Sequence, residues 1–132
     1  MIQDNPPIGK SFGQCITQPK SVSVGKTVSA TFIGANPRNN LRLDQTYGAV
    51  EKKKSDGTWE QVRSDADWFL TYSWKRKDPL FGTSEVTIEW ETGEDGAVEK
   101  GEYRFRYYGD SKSIVGGKIK AFSGTSDSFT LG

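Results

Sequence analysis

An all-β fold, an antiparallel β-sandwich of about seven to eight strands, is what this sequence predicts, and three observations carry that expectation. Short runs in which apolar and polar residues alternate recur along most of the chain, the period of a strand with one buried face. Turn-forming residues punctuate these runs every ten or so positions. No stretch sustains the three-and-four spacing of an amphipathic helix. With 132 residues, 33% hydrophobic and 27% charged, the chain has the size of one domain that can bury a core without staples.

In chain order, Asn5-Pro6-Pro7-Ile8-Gly9-Lys10 is extended and stiff, because each proline fixes φ and turns its predecessor away from the helical region. Residues 1–20 therefore read as a linker and domain entrance, and residues 21–132 as the sandwich. Thr27 to Phe32 places Val28, Ala30 and Phe32 on one face. The next segment runs from about Leu41 to Lys53, and Asp56-Gly57 supplies the positive φ angles of a tight hairpin whose return strand is Trp59 to Val62. Asp67 to Arg76 puts Trp68, Leu70, Tyr72 and Trp74 on one face, and Glu85 to Glu91 does the same with Val86, Ile88 and Trp90. Gly101 to Tyr108 alternates again, with Tyr103, Phe105 and Tyr107 on one side and Arg104 and Arg106 on the other. Gly109 to Ser113 and Val115 to Lys118 read as loops, and Ser128 to Leu131 as a last strand.

One local pattern narrows the fold. Glu99-Lys100-Gly101-Glu102-Tyr103-Arg104-Phe105 resembles the tyrosine corner at the start of the sixth strand of immunoglobulin-like sandwiches, with Phe105 where antibody domains carry their second cysteine. The cross-sheet core is then packed by rings in place of a disulfide. Phe32, Leu70, Val86, Ile88, Tyr103 and Phe105 are assigned to that core.

The chemical inventory is short. The chain has no histidine, so a Ser-His-Asp or Cys-His triad and a His-ligated zinc are excluded. Glu85, Glu89 and Glu91 share a strand face, yet alternate acids on a strand form its solvated side and pair with bases on a neighbour. A net charge of +1 advertises neither nucleic acid nor anionic lipid. The single Cys15 has no disulfide partner in the chain and no base in evidence to activate it. Lys52-Lys53-Lys54 and Lys75-Arg76-Lys77 read as solvation and edge protection. Asp65 and Asp67 are the only pair we nominate for an ion, and turn capping is the stronger reading of both. Met1 to Pro7 has no basic n-region or apolar h-region, and no window is apolar enough to span a bilayer.

Ala35-Asn36-Pro37-Arg38-Asn39-Asn40-Leu41-Arg42-Leu43, Asp67-Trp68, Trp74-Lys75-Arg76, the block from Gly82 to Trp90, Tyr107 to Lys112 and Phe122 to Ser126, in that order, together resemble the C-terminal domain of neutral (alkaline, non-lysosomal) ceramidases. The resemblance extends from Asn5 to Leu131. It implies an accessory domain that packs against a zinc-dependent catalytic domain preceding it in the same chain, the part that hydrolyses ceramide to sphingosine and fatty acid. On that reading this chain carries no catalytic residue and no cofactor, and the zinc belongs to the other domain. The interface candidates are Arg38, Asn39 and Asn40, then Trp74, Lys75 and Arg76, then Asp110, Ser111 and Lys112. Neither nucleic acid nor a transmembrane segment is implied. The resemblance places the full enzyme outside the cell or on its surface, with the membrane as a contact of the whole protein. The alternative is a free-standing immunoglobulin-like adhesion or carbohydrate- or lipid-binding module that offers Trp59 or Trp74 as a platform.

Overall fold

The structure, a computed structural model, describes residues 11–34, 47–78, 83–96, 98–112 and 119–132. Among them are nine strands: β1 (Cys15–Thr17), β2 (Thr27–Gly34), β3 (Gly48–Lys53), β4 (Trp59–Ser64), β5 (Leu70–Asp78), β6 (Thr83–Glu91), β7 (Gly101–Lys112), β8 (Ile119–Thr125) and β9 (Phe129–Leu131). One sheet has the order β1-β2-β6-β5, the other β4-β3-β7-β8, with β9 also paired to β7. This is the ABED and C′CFG arrangement of an immunoglobulin-type sandwich. The strand pairs are antiparallel.

The registers show why the alternating residues meet. Val28 lies opposite Trp90, Ala30 opposite Ile88 and Phe32 opposite Val86, while Leu70 and Tyr72 flank Trp90 and Ile88 from the other side. In the second sheet Val50 opposes Phe105 and Gly48 opposes Tyr107. Since side chains alternate across a strand, each such row faces inward as a unit. Phe32, Leu70, Val86, Ile88, Tyr103 and Phe105 are all buried, as expected, and Trp90 joins them. Rings fill the inter-sheet space: Trp90 meets Tyr103 edge-on at 5.1 Å across the two sheets, and Phe105 stacks on Phe129 at 5.2 Å.

The hairpin after β3 forms at the Asp-Gly pair, but of the two residues only the glycine takes a positive φ. Gly57 takes φ +86°, and the Asp56 carboxylate accepts from the Thr58 backbone N–H at 2.9 Å. Other expectations need correction. Trp68 does not share a buried face with Leu70; it sits in the turn before β5 and is 68% exposed. The turn forms because Asp67 accepts from the Ser64 N–H and the Leu70 N–H bonds back to the Asp67 carbonyl, so alternation begins only at Leu70. Gly109 to Lys112 is not a loop but the end of β7, paired with β8 from Phe122 to Ile119. Of the segment expected from Leu41, the described part is Tyr47 to Lys53.

Two strands escaped the sequence pattern. β1 has three residues, too few to show a period, and lies within the expected entrance, hydrogen-bonded to β2. In β8 a glycine interrupts the pattern for a steric reason: a Cβ on Gly124 would strike the Gly13 carbonyl. No helix among the described residues is long and apolar enough to cross a membrane.

Candidate functional site

The sandwich has two ends, and they differ in how their polar groups are satisfied. At the end holding the β6–β7 connection, the Tyr103 hydroxyl donates to the Glu99 carbonyl at 2.5 Å, closing the tyrosine corner. Asp95 lies beneath it, its side chain 2% exposed. Arg63 donates to its carboxylate from Nε at 2.5 Å and Nη2 at 3.1 Å, and the Trp90 indole N–H from 3.1 Å. Lys52 bonds Glu99 at 2.7 Å; that bond holds the Glu99 carboxyl below its usual range and the Lys52 ammonium above its own. In the cleft of about 200 Å³ between Lys52, Arg63, Trp90 and Tyr103, the lining charges Lys52, Arg63 and Glu99 therefore already have partners. Asp95 and Arg63 carry no sequence signal: an aspartate in a polar Gly-rich stretch and an arginine on a hairpin strand read as surface.

At the other end, β2 and β5 finish at Gly34 and Asp78, β3 and β6 begin at Gly48 and Thr83, and β7 turns back to β8 after Lys112. The chain also enters there: the Gly13 N–H donates to the Ile33 carbonyl at 2.8 Å, and Phe12 stacks on Phe122 at 5.2 Å. Behind these ends lies an aromatic cluster in which Tyr107 contacts Phe32, Tyr72 and Phe122, with Tyr47 against Tyr72. Burial, then the neighbouring Tyr107, push the Tyr72 phenol well above its ordinary pKa, so it stays a neutral hydroxyl.

Trp74 and Arg76 extend the inward face of β5 toward this end, opposite Val86 and Ser84. Both are half-buried, and the Arg76 guanidinium lies 5.2 Å from the Trp74 ring centroid. Trp74 Nε1 and Arg76 Nη1 are buried with no hydrogen-bond acceptor. Among the described residues β5 is an edge strand, so no further described strand lies on one side of it. Lys75 points to the outer face, exposed and opposite Glu85, where Thr31 and Thr87 share a hydroxyl bond at 3.1 Å. The alternate acids of β6 thus line a polar outer face with a base beside them, as expected.

Of the sequence candidates, Trp74 and Arg76 and the backbone of Asp110, Ser111 and Lys112 are brought to the same end of the sandwich. Arg38, Asn39 and Asn40 lie outside the described residues. Asp65 accepts from the backbone N–H groups of Tyr47 and Gly48 at 2.9 and 3.3 Å, and Asp67 from Ser64 at 2.9 Å; Asp67 thus caps a turn as expected, whereas Asp65 instead ties the end of β4 to the start of β3. No group of three His, Cys, Asp or Glu side chains that could hold a metal occurs among the described residues. Trp59 is half-buried beneath Arg104, whose guanidinium sits 4.3 Å from its ring centroid and bonds Glu51 at 2.7 Å. Cys15 is half-buried, and desolvation, then the charge of Asp127, raise its thiol to about 11, which keeps it protonated and inert.

Residues 1–131 match the family model described as neutral/alkaline non-lysosomal ceramidase, C-terminal. The neutral ceramidase of Drosophila melanogaster is 37% identical over 132 residues, covering 99% of this chain and 18% of that protein. The neutral ceramidase of Pseudomonas aeruginosa is 36% identical over 134 residues, 99% of this chain and 19% of that protein. A crystal structure of the Pseudomonas aeruginosa neutral ceramidase superimposes with a TM-score of 0.89 at 34% identity, over 98% of this chain and 20% of that one. The chain thus spans about a fifth of the length of the curated relatives it matches.

Proposed function

Since this chain belongs to the neutral/alkaline non-lysosomal ceramidase C-terminal family, we propose that it is the non-catalytic accessory domain of a neutral ceramidase, packing against a zinc-dependent catalytic domain that precedes it and stabilising or orienting that domain. One observation carries the reading: almost the whole chain aligns, yet it accounts for only about a fifth of each relative. The residues fit a supporting role. A chain without histidine offers no His-ligated zinc, and the half-buried Arg63 is bonded to the buried Asp95. The amide hydrolysis of ceramide, the metal and any contact with the membrane fall to the larger part of the enzyme, which the resemblance places outside the cell or at its surface.

The test is twofold. The reading frame upstream of residue 1 is expected to continue into a histidine-containing catalytic domain. The isolated 132-residue chain is expected to show no ceramide hydrolysis with zinc supplied, and to bind that catalytic domain when the two are expressed apart. Zinc-dependent hydrolysis by the pure chain, or a frame that closes immediately upstream, overturns the proposal.

A further inference from the structure

Resting on that reading, we infer that Trp68 anchors this domain on the preceding part of the enzyme, its indole seated in an apolar pocket there with a basic rim. Trp68 is 68% exposed, and among the described residues the other exposed large hydrophobic is Val24. The ring stands in the open on a backbone fixed from both sides. Before it, the Asp67 N–H donates to the Ser64 carbonyl at 2.9 Å and the Asp67 carboxylate accepts from the Ser64 N–H. After it, the Leu70 N–H reaches the Asp67 carbonyl at 3.0 Å and the Glu91 N–H the Phe69 carbonyl at 2.9 Å. Phe69 meets the indole edge-on at 5.8 Å and is itself packed against the core. None of these bonds uses the indole, so the turn does not require a tryptophan. A large ring already ordered before contact loses little conformational freedom on binding, and tryptophan is among the residues that dominate interface energies.

Length and charge select the occupant. Most of each relative lies outside the part that this chain matches, and the matched part is the C-terminal one. A partner carried in the same chain meets the surface at an effective concentration that a separate molecule does not reach. Asp65 and Asp67 precede the ring in the turn, and Glu89 and Glu91 lie on the outer face of β6, opposite Thr71 and beside Phe69. Among the described residues no base is bonded to any of these four carboxylates, and Arg63, 5.8 Å from the Phe69 ring centroid, holds Asp95. Such a border repels an anionic bilayer and favours Lys or Arg around the pocket that receives the ring. A zwitterionic lipid surface fits less well. Stable interfacial anchoring takes more than one group, and Val24 lies ahead of β2, on the opposite side of β6 from β5.

Hydroxyl-radical footprinting, read by mass spectrometry, compares the full-length enzyme with the isolated 132-residue chain. Oxidation of Trp68 is expected to be about tenfold slower in the full-length enzyme, because an interface anchor is desolvated in its complex, while the buried Trp90 stays slow in both. Glu89→Lys combined with Glu91→Lys sets like charges against the rim and is expected to raise Trp68 oxidation about threefold in the full-length enzyme and not in the isolated chain. Trp68→Ala is expected to raise amide hydrogen exchange over residues 69–76 several-fold in the full-length enzyme and to leave it unchanged in the isolated chain. Equal Trp68 oxidation in the two proteins, or protection that arises only when phosphatidylcholine vesicles are added, overturns the anchor and leaves the accessory function standing. Protection that the charge reversal does not weaken overturns the basic rim. An equal rise in exchange in both contexts assigns Trp68 to the fold of the domain itself and also overturns the anchor. A reading frame that closes before residue 1 overturns both readings.

Discussion

The Tyr103 hydroxyl donates to the carbonyl of Glu99, four residues upstream and 2.5 Å away, so the loop leaving β6 is tied to the first turn of β7 by one bond. Tyr103 is 3% exposed and its ring also packs on Trp90 and Phe129. Tyr103→Phe keeps the packing and strands the Glu99 carbonyl. It should lower stability by ~1–2 kcal/mol, read as a fall in the urea midpoint with the slope unchanged. A midpoint equal to that of the parent shows that the corner is held by packing alone.

Asp95 gathers three donor nitrogens from two side chains on different sheets, Arg63 of β4 and Trp90 of β6. Asp95→Ala leaves the half-buried Arg63 guanidinium without this counter-charge and the buried Trp90 indole N–H without this acceptor, and the loss should be about 3 kcal/mol, a large share of a single domain's stability. Asp95→Asn keeps shape and one acceptor oxygen, and should lie between the two. The pairing of Arg63→Met with Asp95→Leu should be milder than Asp95→Ala alone, because it removes both charges together. Thermal melts of the four chains decide the order; a double variant less stable than Asp95→Ala sinks the argument.

The contrast between Tyr103 and Asp95 shows how far the sequence could be read. Tyr103 was legible because a fixed offset separates the tyrosine from Gly101 and Phe105, and Val28, Ala30, Phe32, Val86, Ile88 and Trp90 were legible because alternation is a property of neighbours in sequence. Asp95 was not, because its meaning lies in Arg63, a contact thirty-two residues away. β8 was hidden by Gly124, whose reason is the carbonyl of Gly13 on the far side of the chain. Trp68 was misplaced since the period continues through Asp67-Trp68-Phe69 while the backbone turns. At the candidate site the residue types of Trp74 and Arg76 could be nominated, but the missing acceptors beside them appear only once β5 is seen at the sheet edge.

Cys15 gives a pH test. Desolvation, with Asp127 nearby, raises its thiol from 9.0 to about 11. A raised acid pKa favours the protonated folded form, so this contribution to stability is complete below pH 9 and fades as pH rises from 9 toward 11. A shift of two units leaves about 100-fold less thiolate at pH 8 than in the unfolded chain. Iodoacetamide should therefore modify the folded chain far more slowly than the urea-unfolded chain at pH 8, with the folded rate climbing steeply up to pH 11. Equal rates at pH 8 would place Cys15 in water.

Trp68 tests the placement of the four tryptophans. It is 68% exposed, whereas Trp90 is 1% exposed and Trp59 and Trp74 are half-buried under arginines. Its backbone is nevertheless held: the Leu70 N–H reaches Asp67, the Glu91 N–H reaches the Phe69 carbonyl, and the indole rests edge-on against Phe69. Acrylamide reaches an indole in proportion to its exposure, so Trp68 should supply most of the quenchable emission of the isolated chain. Trp68→Phe should remove that fraction and leave the slowly quenched emission of Trp90 in place. Because little apolar area is released from burial, the same variant should shift stability by less than about 0.5 kcal/mol. A loss above about 2 kcal/mol would return Trp68 to the core face, and with it the strand start at Asp67 that alternation alone suggests.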